Sequence, residues 1–186
     1  MPYADDSRQT GPARWLVLLL CTVFLVTGLL DHDPWKVDDA VHLSIVQGMV
    51  ESGDWHRPAV AGEPWPEAEP LYHWVAAGSA LVLQPLLGFP AAARLASALF
   101  GAVFLLLLAA AGRQNYGAQA AWGTPLLAIG TLGLLIPLHE AQPASAILAA
   151  MALAYWGCAL LATHAIVGAL ALGLGIAATF LAGGLN

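Results

Sequence analysis

Positive charge is scarce in this sequence. One lysine, Lys36, and five arginines stand against 12 carboxylates in 186 residues, for a formal net charge of −6. A face basic enough to neutralise phosphates is missing, which argues against nucleic acid as a partner. Charge of either sign is sparse: 10% of residues carry it, against ~25% in soluble domains. Cysteine is sparse too. Cys21 and Cys158 fall in separate apolar segments, which leaves neither a disulfide framework nor a zinc knuckle. No small-x-small cleavage site lies between the apolar run Trp15 to Leu30 and Asp31, and Cys21 lacks the small residue that a lipoprotein signal places before it. The run therefore reads as an uncleaved first span.

What the chain has in abundance is apolar. Hydrophobic residues make up 59% of it, and its mean hydropathy is +0.72, which predicts an all-α integral membrane protein. Segments near the ~20 residues that cross a bilayer occur at 14–30, 91–112, 119–138, 143–162 and 165–185, giving about five transmembrane helices. Residues 1–13 are polar, hold Pro2, Gly11 and Pro12, and read as a cytoplasmic tail. Arg113 would then return to the side of Arg8 and Arg14, as the positive-inside tendency prefers. The short connections after 138 and 162 make neighbouring helices pack closely, with Gly and Ala at the contacts. An apolar segment runs up to Leu185-Asn186, so the chain is expected to be the N-terminal portion of a longer membrane protein.

Between the first two spans, residues 31–90 form an external loop. Its part from Asp31 to His73 holds nine of the 12 carboxylates and four of the six histidines, with Lys36 and Arg57 as its only cations. Ionisable groups crowded beside a bilayer mark a polar site at the membrane surface. Val37, Val41, Ile45, Val46, Met49 and Val50 recur at helical spacing, predicting a juxtamembrane helix over about 38–52, with Asp38 or Asp39 as N-cap and Gly53 as its stop. Pro58, Pro64, Pro66 and Pro70 with Gly62 break every regular pattern and give an extended strap. A second juxtamembrane helix is predicted over about 70–84, too short to span.

The adjacent Asp38 and Asp39 can act on a hydroxyl as a general base, hold a divalent cation together, or cap the helix. His42 follows within reach on a neighbouring face. His42 and His73 offer neutral imidazole for a metal, or are solvated interface histidines. Lys36 and Arg57 can meet a phosphate or simply pair with nearby acids. Trp35, Trp55, Trp65 and Trp74 suit an aromatic belt at headgroup depth, with sugar stacking as the alternative for one of them. His139 and Glu140 fall in a short loop on the same side, in water or lining the site.

The loop from Asp38 to Trp74 resembles the first external loop of the GT-C membrane glycosyltransferases, the group that contains the aminoarabinose transferases of lipid A and the protein mannosyltransferases. That pattern is an Asp-Glu pair, a helix ending in Met, then Ser-Gly-Asp-Trp, a Pro, and Asn-Gly-x-Pro-Tyr-Phe-Glu-Lys-Pro-Pro-Leu-Tyr-Tyr-Trp. Here those places hold Asp38-Asp39, Met49, Ser52-Gly53-Asp54-Trp55, Pro58, and Ala61-Gly62-Glu63-Pro64-Trp65-Pro66-Glu67-Ala68-Glu69-Pro70-Leu71-Tyr72-His73-Trp74. Ala93-Arg94-Leu95-Ala96-Ser97-Ala98 is similar to the Ala-Arg-Leu-Pro-Ser-Ala that heads the family's next span.

The resemblance implies a sugar transferred from a polyprenyl-phosphate donor to a lipid or protein acceptor on the non-cytoplasmic face, and the richness in Ala, Leu and Gly fits a bacterial inner membrane. It implies Asp38 as the catalytic carboxylate and Glu67 as a metal ligand. His42 and His73, which stand where the family has tyrosines, are further candidate ligands by their imidazole chemistry, and Asp39, Tyr72 and the loop cations Lys36 and Arg57 are the candidates at the substrate. Two places depart from the pattern. Val41 and Ala68 stand where the family has Arg and Lys, so a divalent ion or cations outside this stretch would have to meet the phosphate. A metal-binding or transport protein, and a non-catalytic scaffold of the same fold, are the rival readings. The scarcity of ionisable groups within the spans counts against transport.

Overall fold

The computed structural model describes residues 14–29, 33–34, 36–65 and 68–184. It is all-α apart from one short hairpin among these residues. The elements are α1 (Arg14–Val26), α2 (Val37–Ser52), β1 (Ala59–Val60), β2 (Glu63–Pro64), α3 (Pro70–Leu87), α4 (Phe89–Tyr116), α5 (Ala120–Ile129), a 3-10 turn (Leu132–Leu134), α6 (Leu135–His139), α7 (Ala144–Leu160) and α8 (Ala165–Gly183).

The helix expected over about 38–52 lies where the apolar periodicity puts it, as α2. Its stop is Gly53, at φ 72°, whose N–H returns to the carbonyl of Met49, a left-handed closure that favours glycine. Its start differs from expectation: Lys36 is the N-cap residue, and Asp38 and Asp39 fall inside the first turn, where carboxylates complement the positive end of the helix dipole. The strap also holds more order than its prolines suggest. β1 and β2 pair antiparallel, Ala59 with Pro64 and Val60 with Glu63. Ala61 at φ 51° and Gly62 at φ 89° form the connection, the two positive φ angles of a hairpin turn whose twist matches its strands.

α3 opens with Pro70, whose fixed φ suits a first helical position. Gly88 alone, at φ 78°, separates it from α4, and the two helices pack together. α4 is the central element, touching α3, α5 and α7, while α7 packs on α8. That last contact is backbone to backbone. A methyl group added at Gly157 would lie 2.4 Å from the main-chain nitrogen of Leu172, and one at Gly175 would lie 2.4 Å from that of Ala154.

Among the described residues two helices, Phe89–Tyr116 and Ala165–Gly183, are long and apolar enough to cross a membrane, with mean hydropathies of 2.3 and 2.2. Outward-facing Ile166, Leu170, Leu174 and Phe180 give α8 a lipid-compatible surface. The expectation of five spans is corrected to two, or three if a bent pair counts as one. The expected span at 119–138 is broken by a 72° bend between Ala120–Ile129 and Leu132–His139, because Thr131 adopts an extended conformation after Gly130. α1 and α7, with 13 and 17 residues, are apolar but short. α3, expected over about 70–84, runs for 18 residues and stays outside the set of candidate spans.

The two ends of the bundle differ in character. The Arg14 guanidinium lies 5.6 Å from the ring centre of Trp122, at the start of α5, and Arg113 precedes that helix by a few residues. Arg94, at the other end of α4, is 19 positions away, or ~28 Å at 1.5 Å per residue. The Asp39 carboxylate, Glu140, His42, His73 and His139 gather toward the Arg94 end, whereas His164 follows Thr163, which accepts from Gln114 at the Arg113 end.

Candidate functional site

The site is organised by one buried ion pair. Arg94 donates from Nη2 to Oδ2 of Asp39 at 2.6 Å and from Nε to Oδ1 at 3.2 Å. The N–H of Ala141 completes the set, 2.7 Å from Oδ1. Both side chains are closed to solvent. An arginine within an apolar helix requires such a partner, since an uncompensated charge there is expensive. Asp39, expected at the substrate, is therefore a framework carboxylate with its acceptor capacity committed inward.

Fixing Asp39 inward fixes Asp38 outward. Successive helical residues are turned by 100°, so the rotation of α2 that carries Asp39 to Arg94 leaves Asp38 exposed at the helix start. The short segment after α6 is stitched to the same frame. Ser97 donates to the carbonyl of Glu140, Tyr72 shares a 3.0 Å hydrogen bond with Ser97, and Lys36 reaches the Glu140 carboxylate at 2.7 Å. Tyr72, also expected at the substrate, is fully buried; burial pushes its phenol far above the usual range, with the nearby Asp39 adding to the rise. It acts as a strut between α3 and α4.

One turn beyond Asp38, the two predicted metal-ligand histidines meet each other. His42 Nδ1 lies 3.0 Å from His73 Nε2, and His73 Nδ1 lies 2.7 Å from the main-chain oxygen of Glu69. A carbonyl only accepts, so His73 must carry its proton on Nδ1 and present a lone pair at Nε2. His42 must then donate from Nδ1, which leaves its own Nε2 unprotonated in the neutral state. Burial holds His73 down to about 4, against the opposing effect of the Glu69 carbonyl, and the neighbouring His42 adds to the fall. His42 is also lowered, by burial, with Asp38 and then Asp39 resisting. Both nitrogens of His73 are occupied, which takes it out of the ligand set.

The remaining expected residues are dispersed. Glu67 and Trp35 lie outside the described residues. Arg57 stands 3.8 Å from Asp54 with a side chain 89% exposed, beyond the far end of α2. From Asp38 to Met49 is eleven residues, ~16 Å along the axis, so the structure does not bring Arg57 to Asp38. The hairpin divides two open clefts near Arg57. One, of 510 Å³, is lined by Met49, Trp55, Pro70 and Trp74, and the indole N–H of Trp74 donates to the carbonyl of Trp55 at 2.9 Å. The other, of 730 Å³, is lined by polar groups including Gln47, Glu51 and Asp54. His139 is half-buried against α1, with Nε2 at the Phe24 carbonyl and its ring edge-on to Phe24, and so is not a solvated helix end.

Sequence reasoning gave no role to Arg94 or Ser97, and left Glu140 in water or lining the site, whereas its carboxylate is buried and paired with Lys36. The signal available was the single arginine in the apolar stretch 91–112, which demands an acidic partner but does not say which of the loop's acids supplies it. Among the described residues, no three His, Cys, Asp or Glu side chains gather closely enough to hold a metal ion. No protein-family model, characterised protein or solved structure matches the chain.

Proposed function

We propose that this chain is the front portion of a GT-C-like membrane glycosyltransferase, which moves a sugar from a polyprenyl-phosphate donor to a lipid or protein acceptor. The observation that carries this reading is the division of labour within Asp38-Asp39: one carboxylate is locked by Arg94 and Ala141, and the other is held outward at a defined helix end. Asp38 takes the proton from the acceptor hydroxyl as that oxygen attacks the anomeric carbon. The bond from the anomeric carbon to the phosphate oxygen breaks, and its electron pair leaves with the phosphate. In this reading the Asp38 end of the bundle faces away from the cytoplasm, with Arg14 and Arg113 on the cytoplasmic side that the positive-inside tendency prefers for them. A bacterial inner membrane suits a donor of this class.

The described residues offer a cation two open donors here, Asp38 and His42 Nε2, fewer than a resident site takes. A divalent ion would need more, and Glu67 is the carboxylate the resemblance supplies. Its chemistry would be to neutralise charge on the departing phosphate.

Transfer of labelled sugar from a polyprenyl-phosphate donor by the full-length protein tests the reading. Asp38→Asn is expected to remove it, and unchanged transfer would overturn the assignment. A scaffold of the same fold is the second reading, favoured by Val41 and Ala68 and by the engagement of Lys36 and Arg57 in ion pairs. Donor binding without transfer in the wild-type protein would select it.

A further inference from the structure

A groove runs along the side of the bundle where α1 packs on α4 and α5. It measures 320 Å³ and is lined by Val17, Cys21 and Leu25 of α1, Ala102 and Ala109 of α4, and Trp122 of α5, among others. Ala102 and Ala109 are seven positions apart, on one face of their helix, and their short side chains leave a hollow that larger residues would fill. One end is closed by Leu25 against Gly101, where an added methyl would stand 2.7 Å from the leucine side chain. The other end opens beside Trp122, and there the Arg14 guanidinium lies 5.6 Å from the indole ring centre.

Charge and length together say what fits it. Helices α1, α4 and α5 contain no Asp or Glu, so no acid on the groove's own walls answers Arg14. The ring face of Trp122 attracts the guanidinium, while its N–H groups remain donors suited to a phosphate. From Arg14 to Leu25 is eleven residues, ~16 Å along the axis, or about half of the ~30 Å hydrocarbon core of a bilayer. The groove is thus one leaflet deep, with its cation at the headgroup end. Leu18, Leu19 and Val23 face outward on α1, a lipid-compatible surface, and the α4 on which it packs is a candidate span. We propose that the groove binds one acyl chain of an anionic phospholipid, whose phosphate is held by Arg14. Lipid tails are as apolar as the groove's walls, so the chain gains only packing, and the phosphate on Arg14 decides which lipid occupies the site. This inference goes beyond the transferase reading and stands without it, since it uses none of the residues around Asp38.

Two readouts on the full-length protein in detergent test it. In the first, native mass spectrometry follows retention of phosphatidylglycerol and of phosphatidylcholine with identical chains. The wild type should retain one phosphatidylglycerol in preference. Arg14→Gln should weaken that lipid about fivefold, the effect of one cation beside a headgroup, and bring it level with phosphatidylcholine, whereas Arg14→Lys should keep the preference. Ala109→Leu, which fills the groove, should weaken both lipids. In the second, a phosphatidylglycerol with a diazirine at the end of one chain should crosslink the wild type at the peptides that hold Leu25 or Ala102, toward the closed end, a result that depends on no variant's folding. Equal retention of the two lipids by the wild type overturns the proposal, as does phosphatidylglycerol binding that survives Ala109→Leu undiminished. Crosslinks confined to outward faces such as that of Leu170 and Leu174 would assign the lipid to the general annulus and overturn it as well. A wild type that retains neither lipid would mean that protein, not lipid, fills the groove.

Discussion

Asp39 and Arg94 meet across 55 positions of sequence through two N–H···O contacts, with side chains 0% and 1% accessible to solvent. The pair joins the surface helix α2 to the bundle helix α4, and Ala141 brings the segment before α7 to the same carboxylate. Breaking a buried pair from one side leaves an uncompensated charge, which costs about 3–5 kcal/mol, whereas replacing both partners with apolar groups is close to neutral. Asp39→Leu and Arg94→Leu are each expected to lower the unfolding midpoint in detergent sharply, and the double variant to recover most of the loss. A cycle in which the two single effects simply add would show the pair to be uncoupled.

His73 gives the fold a pH dependence whose sign is fixed. Its ordinary value of 6.5 falls to about 4 in the folded chain, so the unfolded chain binds this proton more readily. Above 6.5 both forms are neutral and the contribution is intact. As pH falls from 6.5 to about 4 the unfolded form protonates alone and stability is lost, by about 3 kcal/mol across the window at 1.36 kcal/mol per pKa unit. Unfolding midpoints followed across this range should fall in the wild type, and His73→Phe should flatten that slope. An equal slope in the variant would assign the loss to other groups.

Much of this architecture was readable in advance because it depends on local rules. The helices at 37–52 and 70–87 follow from apolar spacing, Gly53 and Pro70. What was not readable depends on partners distant in sequence. Asp38 and Asp39 are the same residue type side by side, and only Arg94, fixed by the packing of α4 on α3, decides which one turns inward. Tyr72 was a substrate candidate through its place in the family-like strap, yet Ser97 holds it inside. The broken segment at 120–139 was missed for a different reason. Hydropathy sums over a window and is blind to one extended residue, Thr131, that redirects the chain by 72°.

Glycines in α7 and α8 separate into those that permit contact and those that merely lack a side chain. At Gly157 and Gly175 an added methyl would press on the facing backbone at 2.4 Å, which cannot move aside without parting the helices, while at Gly173 it meets nothing within 4 Å. Close approach of this kind is a main source of helix association in lipid, where apolar burial gives little. Gly157→Ala and Gly175→Ala are expected to destabilise by about 1–3 kcal/mol. Gly173→Ala should stabilise by about 0.5–1 kcal/mol through helix propensity. Thermal unfolding of the three variants in one detergent would check this, and equal effects at all three positions would contradict the direct backbone contact.

The hairpin that separates the two clefts carries a local conflict that a single substitution should relieve. Ala61 has φ 51°, a left-handed conformation that costs a residue with Cβ roughly 1–2 kcal/mol. Its N–H reaches the hydroxyl of Ser44 at 3.4 Å, which ties the turn to α2, and the following Gly62 has nothing within 4 Å of an added methyl. Asparagine tolerates this backbone region better than alanine, and Asn-Gly is the preferred pair for a turn with two positive φ angles. Ala61→Asn is therefore expected to stabilise the hairpin by about 0.5–1 kcal/mol without disturbing the main-chain link to Ser44, whereas Gly62→Val should destabilise it by at least as much, because a β-branched residue at φ 89° is strained even in open space. Amide hydrogen exchange at Val60 and Trp65 reports the hairpin directly, since Val60 belongs to the β1–β2 ladder and the Trp65 N–H donates to Pro58 at 2.8 Å. Slower exchange in Ala61→Asn and faster exchange in Gly62→Val is the expected pattern. Unchanged exchange in both would mean that α2 and α3, not the turn, hold the strap in place.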